Sequence, residues 1–155
     1  MNATAQGRRR VLLAHSYYLR YDEKQLARMK PYPPLATLLT AAVVRARGFD
    51  VHVFDAMLAS GTEEFEAMLD ELRPGIVGIV EDNFNFLTKM CTLRMRRAGL
   101  EMVRAAKARG CRVAVNGSDA VDHPELFLEA GADAVIVGEV EPTFSELVEV
   151  WSQDP

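Results

Sequence analysis

The sequence predicts an α/β domain: a doubly wound five-stranded parallel sheet, Rossmann-like, in the flavodoxin-like order 2-1-3-4-5, with helices on both faces. Three observations predict it. The apolar runs Val11-Leu12-Leu13-Ala14, Ile76-Val77-Gly78-Ile79-Val80, Val113-Ala114-Val115 and Ala134-Val135-Ile136-Val137 are short and do not alternate, as strands buried on both faces of a covered sheet require. Between them apolar residues recur at helical spacing, so strands and helices alternate, which calls for a parallel sheet. Right-handed crossovers then leave few topologies, and in this order the chain reverses direction between the first and third strands. The ends of those two strands, residues 15–18 and 81–85, are expected to flank one crevice, because such sheets bind ligands beyond the carboxyl ends of their strands.

The first strand, Val11 to Ala14, breaks into His15-Ser16-Tyr17-Tyr18. The segment from there to Pro33 has no clean period and is long for a strand-to-helix connection, which suits a binding loop or lid. Pro34 suits a first helical turn, Leu35, Leu38, Leu39, Ala42 and Val43 recur at helical spacing, and Gly48 caps that helix. Val51 and Val53 mark the second strand, with Asp55 at its end. Phe65, Met68, Leu69 and Leu72 supply the buried face of the second helix, which Pro74-Gly75 ends. The third strand stops abruptly in acids, amides and aromatics, Glu81-Asp82-Asn83-Phe84-Asn85-Phe86, where a cofactor is first to be sought. A helix from about Leu93 to Arg109 buries Leu100, Val103 and Ala106 and turns a cationic face of five arginines and Lys107 to solvent, with Gly110 as cap. The fourth strand ends in Asn116-Gly117-Ser118-Asp119. Asp122-His123-Pro124-Glu125 has the spacing of a helix start, and Gly131 ends that short helix. The fifth strand ends in Gly138-Glu139, and Pro142 opens a last helix with the inner stripe Phe144, Leu147, Val148 and Trp151.

Composition narrows the function. With 155 residues and 49% apolar content, the chain fits one domain, 1–155, with residues 1–9 a flexible lead-in. No apolar run reaches the roughly 18 residues that cross a bilayer, and the start is too polar for a secretory signal, so the expectation is a cytoplasmic protein without a membrane partner. A net charge of −4 argues against nucleic acid as a partner. Cys91 and Cys111 fall in different elements, and two thiols alone supply neither a structural zinc nor an iron-sulfur cluster.

Several uses of this architecture fail on missing parts. A dinucleotide site needs a glycine-rich turn after the first strand, and His15-Ser16-Tyr17-Tyr18 has no glycine. A phosphoacceptor receiver would need an acidic cluster there and a lysine after the fifth strand, where the chain reads Gly138-Glu139-Val140. No Gly-x-Ser-x-Gly elbow is present. His52 reads as a half-exposed strand residue and His123 as part of a cap, while His15 alone stands where a ligand could be touched. What survives is a large ligand held by backbone and neutral polar groups.

The ordered series Arg10-Val11-Leu12-Leu13, Pro33-Pro34-Leu35, Arg47-Gly48, Val53-Phe54-Asp55-Ala56, Arg73-Pro74-Gly75-Ile76-Val77-Gly78-Ile79, Asn116-Gly117-Ser118-Asp119 and residues 132–144, from Ala132 through Gly138-Glu139-Val140-Glu141-Pro142-Thr143-Phe144, resembles the N-terminal cobalamin-binding domain of cobalamin-dependent radical S-adenosylmethionine enzymes. The resemblance implies cobalamin across the carboxyl ends of the strands, its nucleotide tail between the first and third strand ends. It carries over Ser16, Tyr17 and Tyr18, then Pro34 and Leu35, then Glu81, Asp82 and Asn83, then Asn116, Gly117 and Ser118, and last Gly138 and Glu139 as cofactor-binding residues. Gly117 and Gly138 would let backbone approach a bulky group, and Asn83, Asn116 and Ser118 would hydrogen-bond corrin amides or the tail ribose.

Two departures shape the expectation. Related methionine-synthase-like domains place a lower cobalt ligand in Asp-x-His-x-x-Gly after the first strand, where this chain reads Ser16-Tyr17-Tyr18-Leu19-Arg20, so the expectation is base-off cobalamin with Tyr17, Tyr18 or Phe84 shielding the lower face and no protein metal ligand. His15 is offset. The family's catalytic barrel, with its Cys-x-x-x-Cys-x-x-Cys triplet for a [4Fe-4S] cluster and its S-adenosylmethionine site, has no counterpart in this chain. The resemblance therefore implies a non-catalytic cofactor module partnered by a radical barrel, in cis or in trans, in a methyltransferase or another radical enzyme. The alternatives are a free-standing corrinoid carrier, or a noncatalytic sensor or interaction domain of the same fold.

Overall fold

A computed structural model describes residues 9–81 and 92–153. Five strands, β1 (Arg10–Ala14), β2 (Asp50–Phe54), β3 (Ile76–Val80), β4 (Arg112–Asn116) and β5 (Ala134–Ile136), form one sheet in the order β2-β1-β3-β4-β5. All neighbours are parallel, as expected. The helices are α1 (Glu23–Arg28), α2 (Leu35–Ala46), α3 (Thr62–Leu72), α4 (Thr92–Ala108), α5 (Ser118–Asp122), α6 (Pro124–Glu129) and α7 (Val140–Gln153). The pleat divides the core in two. Leu12, Ala14, Val77, Ile79, Val113 and Val115 pack under α3, α4 and α6, while Val11, Leu13, Ile76, Val80 and Ala114 pack under α2 and α7. Pairing of Ala14 with Ile79 and of Val80 with Asn116 brings the carboxyl ends of the three central strands level, which is what creates a rim.

One glycine is needed for this packing. A Cβ at Gly78, in the middle of β3, would lie 2.6 Å from Leu13 Cδ2 and 2.7 Å from Phe144 Cζ. The missing side chain lets α7 close onto the central strand.

Four local features differ from expectation. The segment after β1 is not an open loop: it holds a 3₁₀ turn (Leu19–Tyr21) and α1, whose N-cap Asp22 is buried and accepts from Gln25 N–H at 3.1 Å. On α2 the leucines of the helical pattern face outward, where such a pattern ordinarily turns to the core. Leu35, Leu38 and Leu39 are 60%, 40% and 47% exposed, and Thr37, Thr40, Ala41 and Val44 are buried instead. Both threonines can be buried because their hydroxyls donate, Thr37 Oγ1 to the Val80 carbonyl at 2.9 Å and Thr40 Oγ1 to the Ala36 carbonyl at 2.8 Å. Small residues let α2 lie close to the sheet and α7. The third difference follows β4, where α5 starts at Ser118 and already ends at Asp122, so Asp122 caps nothing; His123 holds the N-cap position of α6 without a side-chain cap bond.

Last, the cationic face of α4 is only partly solvated. Arg109 bonds Asp70 and Glu66 of α3, Lys107 bonds Asp133, and Arg96 makes a two-pronged contact with Asp119. These residues hold α4 to its neighbours. Cys111 is buried, donates to the Pro74 carbonyl at 3.2 Å, and has its thiol pushed up to about 11 by burial; Cys91 lies outside the described residues. Among the described residues no helix is long and apolar enough to cross a membrane.

Candidate functional site

The strand ends determine what the rim presents. β1 delivers His15 and Ser16, β2 delivers Asp55, β3 delivers Glu81, β4 delivers Asn116 and Gly117, and the turn after β5 delivers Gly138. Beyond β3, β4 and β5 opens a cleft of about 510 Å³ whose lining includes Glu81, Asn116, Gly117, Ser118, Gly138 and Glu139. The structure thus brings six of the expected site residues together. A second hollow of about 320 Å³ lies on the β2 side, between Pro31-Tyr32-Pro33-Pro34, Leu38 and Val53, so Pro34 stands there and not in the first cleft. Leu35, the next residue, is exposed. Asp82, Asn83 and Phe84 lie outside the described residues.

The cleft is shaped by backbone as much as by side chains. Gly117 has φ +146° and Gly138 has φ +89°, both in the region that favours glycine, and no atom stands within 4 Å of where a Cβ of Gly138 would be. The Asn116 amide nitrogen donates to the carbonyls of Ile136 at 3.0 Å and Gly138 at 3.5 Å, tying the β4 end to the turn after β5 and leaving its carbonyl oxygen as an acceptor. Glu81 N–H donates to the Asn116 carbonyl at 3.0 Å, and its carboxylate accepts from Ser16 N–H at 2.6 Å. Asp122 and Glu141 join Glu81 and Glu139 around this cleft, and no lysine or arginine lines it among the described residues. A pyrophosphate entering there would meet like charge, in keeping with the missing dinucleotide motif. Asp122 and Glu141 were not expected in the site. Asp122 stands four residues after Ser118 on α5 and Glu141 two after Glu139 in the first turn of α7, and nearness to a strand-end motif is the signal that could have found them.

The β1 end behaves differently from expectation. Tyr17 and Tyr18 are 3% and 0% exposed. Tyr17 Oη donates to Asp22 at 3.0 Å, and its ring lies 6.1 Å from that of Tyr32. Tyr18 stacks on Tyr21 at 5.0 Å, reaches Met102 Sδ with its hydroxyl, and packs near Phe54. Burial drives the Tyr18 phenol far above its ordinary value, with Tyr21 and Glu81 adding repulsion. The tyrosines therefore fill the domain's own interior, because a 3₁₀ turn and a short helix fold the segment back onto the core. Their number after β1 is accounted for by packing.

His15 is also committed. It is 3% exposed, its Nε2 lies 2.9 Å from Asp55 Oδ1, and its Nδ1 accepts from Tyr17 N–H at 3.3 Å. An acceptor at Nδ1 leaves the proton on Nε2, which donates to Asp55. Of the other two histidines, His52 lies within β2 beside Asp50 at 3.1 Å, and His123 stands at the turn between α5 and α6.

Comparison with known proteins supplies the context. No curated protein matches the sequence. Among solved structures, the chain is similar to the radical S-adenosylmethionine methyltransferase TsrM from Kitasatospora setae, determined with tryptophan substrate and a SAM analogue: TM-score 0.68, 19% identity, over 94% of this chain and 26% of that one. It is also similar to the cobalamin-dependent S-adenosylmethionine radical enzyme OxsB, determined with aqua-cobalamin and S-adenosylmethionine: TM-score 0.65, 14% identity, over 94% of this chain and 19% of that one. The chain thus spans about a quarter and a fifth of these two proteins, and at such identity the likeness is one of fold. A family model described as "B12 binding domain" matches residues 28–148, most of the chain, from the start of α2 through β2, β3, β4 and β5 to the body of α7, and the chain therefore belongs to the B12-binding domain family.

Proposed function

We propose that this chain is the cobalamin-binding module of a cobalamin-dependent radical S-adenosylmethionine enzyme, and that it holds cobalamin base-off, with no histidine on the lower face of cobalt. The observation that carries the reading is the cleft beyond β3, β4 and β5, in a member of the B12-binding domain family, with two glycine turns and an amide at its edge. These residues fit part of so large a cofactor. A volume of about 510 Å³ suits the nucleotide tail and leaves the corrin disc along the rim. The Asn116 side-chain Oδ1 and the Ser118 hydroxyl would hydrogen-bond amides or the tail ribose, and the open side of Gly138 would let a flat edge approach the backbone. Asp82, Asn83 and Phe84, following β3, belong to the same proposal, as do Pro34 and Leu35 beside the second hollow. Ser16, Tyr17 and Tyr18 enter it through the backbone of the turn, since both tyrosine rings are buried.

Support for the absence of a histidine ligand comes from His15, whose two ring nitrogens are both used inside the protein. Bound cobalamin would supply an organometallic centre able to carry a methyl group or tune a radical reaction. The chain's own part is to orient that group and to exclude competing contacts. In the parent enzyme a radical barrel with a [4Fe-4S] cluster and S-adenosylmethionine would act on it, joined in cis as the fold shares of TsrM and OxsB suggest, or supplied in trans.

Retention tests the reading. Purified protein mixed with hydroxocobalamin and passed through a desalting column should keep about one equivalent. Loss of all colour would favour the sensor or interaction domain, and a cysteine triplet in the adjoining coding sequence would separate the enzyme module from a free-standing carrier.

A further inference from the structure

Ladder pairing of β1 stops at Ala14, opposite Phe54 and Ile79, yet the amides of Ser16 and Tyr17 are satisfied. Ser16 N–H is taken by Glu81 Oε1 at 2.6 Å and Tyr17 N–H by His15 Nδ1 at 3.3 Å. In open parallel sheets the amides at this place are where an anionic ligand docks. Here an internal carboxylate stands in that position, in a short charge-assisted bond.

Glu81 reaches two further strand ends. Its own N–H continues the ladder to the Asn116 carbonyl at 3.0 Å. Its Cβ and Cγ fill the space left by Gly117: a Cβ placed on that glycine would lie 2.6 Å and 3.0 Å from them. Position 117 therefore requires glycine for space as well as for its φ of +146°.

We infer that Glu81 is a positioning residue that locks the Ser16–Tyr17 turn of β1 to the ends of β3 and β4, with Gly117 holding the Glu81 side chain in place. The rim is then organised before any ligand arrives. The consequence for cobalamin rests on the function proposed above; the lock itself does not.

Amide exchange followed by NMR on cobalamin-free protein tests the lock directly. In the wild type the Ser16 amide should be protected. In Glu81→Ala it should exchange roughly tenfold to a hundredfold faster, the loss expected for one hydrogen bond to a charged acceptor. Gly117→Ala should speed it in the same direction while the amides of Leu13 and Val77 keep their protection. Glu81→Gln retains a neutral acceptor oxygen and should recover part of the slow exchange, falling between Glu81→Ala and the wild type. With hydroxocobalamin added, affinity should fall about tenfold in Glu81→Ala and Gly117→Ala and recover in part in Glu81→Gln. An unprotected Ser16 amide in the wild type, or one unmoved by Glu81→Ala, overturns the inference. So does equal cobalamin loss in Glu81→Gln and Glu81→Ala, which would mark the carboxylate's charge as the contact. Should Glu81→Ala not fold, the wild-type amide and Glu81→Gln still decide. A wild type that takes up no hydroxocobalamin sinks the proposed function, while the exchange data alone judge Glu81.

Discussion

Replacing Gly78 by alanine probes the packing that sets the rim. The new methyl carbon would stand 2.6 Å from Leu13 Cδ2 and 2.7 and 2.8 Å from Phe144 Cζ and Cε2, where ordinary contact begins at 3.4 Å. Two effects compete. Alanine restricts the unfolded chain and favours the strand by about 0.5–1 kcal/mol. Against this, Leu13 and Phe144 are fully buried and come from two different elements, so neither can retreat without disturbing β1 or α7. Overpacking of this kind costs about 1–3 kcal/mol, and it should win. For a chain of this size the melting temperature should fall by roughly 2–4 °C per kcal/mol. Urea titration should show a lower midpoint with an unchanged slope. Phe144→Leu removes the two ring atoms in conflict, so Gly78→Ala should cost less in that background by about 0.5 kcal/mol or more. A Gly78→Ala protein as stable as the wild type, or strict additivity in the double variant, would refute the claim that this glycine permits α7 to close.

Two further predictions follow from the same geometry. His15→Ala should destabilise the fold by about 1–3 kcal/mol, because Asp55 and the Tyr17 amide lose their partner, yet leave the visible spectrum of bound cobalamin unmoved; a shifted spectrum would make His15 a cobalt ligand. Burial alone would raise the Asp133 carboxyl, but bonds from Lys107, the Val113 amide and Arg112 outweigh it and hold the group below its ordinary value. Its folded value lies below its unfolded one of about 3.9. The stability it lends is therefore complete above that pH and drains away as pH falls through the folded value. Urea midpoints measured from pH 6 downward should decline less below pH 4 in Asp133→Asn than in the wild type, and parallel declines would contradict the assignment.

Much of the fold was legible because unbroken apolar runs can be satisfied in few ways. Four of them, with Val51-His52-Val53-Phe54 as a fifth strand and helical patterns between, demand a covered parallel sheet, and β2-β1-β3-β4-β5 is what forms. Periodicity says which residues of a helix share a face, but not which face turns inward. On α2 a leucine stripe competes with Thr37, Thr40, Ala41 and Val44, and the smaller set wins, because both threonine hydroxyls find acceptors and short side chains permit close approach. Where the tyrosine rings after β1 point was illegible for a related reason. Aromatic residues near a mouth suit a ligand and a core equally well, and the decision rests on Asp22, which caps α1 and accepts from Tyr17, folding the segment inward. The β4 and β5 side of the cleft was more legible. Asn116, Gly117 and Gly138 are dictated by backbone turns at strand ends, and turns leave a local signature in sequence that side-chain orientation does not.

The central claim is that this rim holds cobalamin without a histidine at cobalt. The visible absorption spectrum of the hydroxocobalamin-loaded, desalted protein tests it most directly. A retained chromophore in the base-off form, identical in wild type and His15→Ala, is the predicted result. No retained chromophore, or a histidine-ligated spectrum that His15→Ala abolishes, would contradict it.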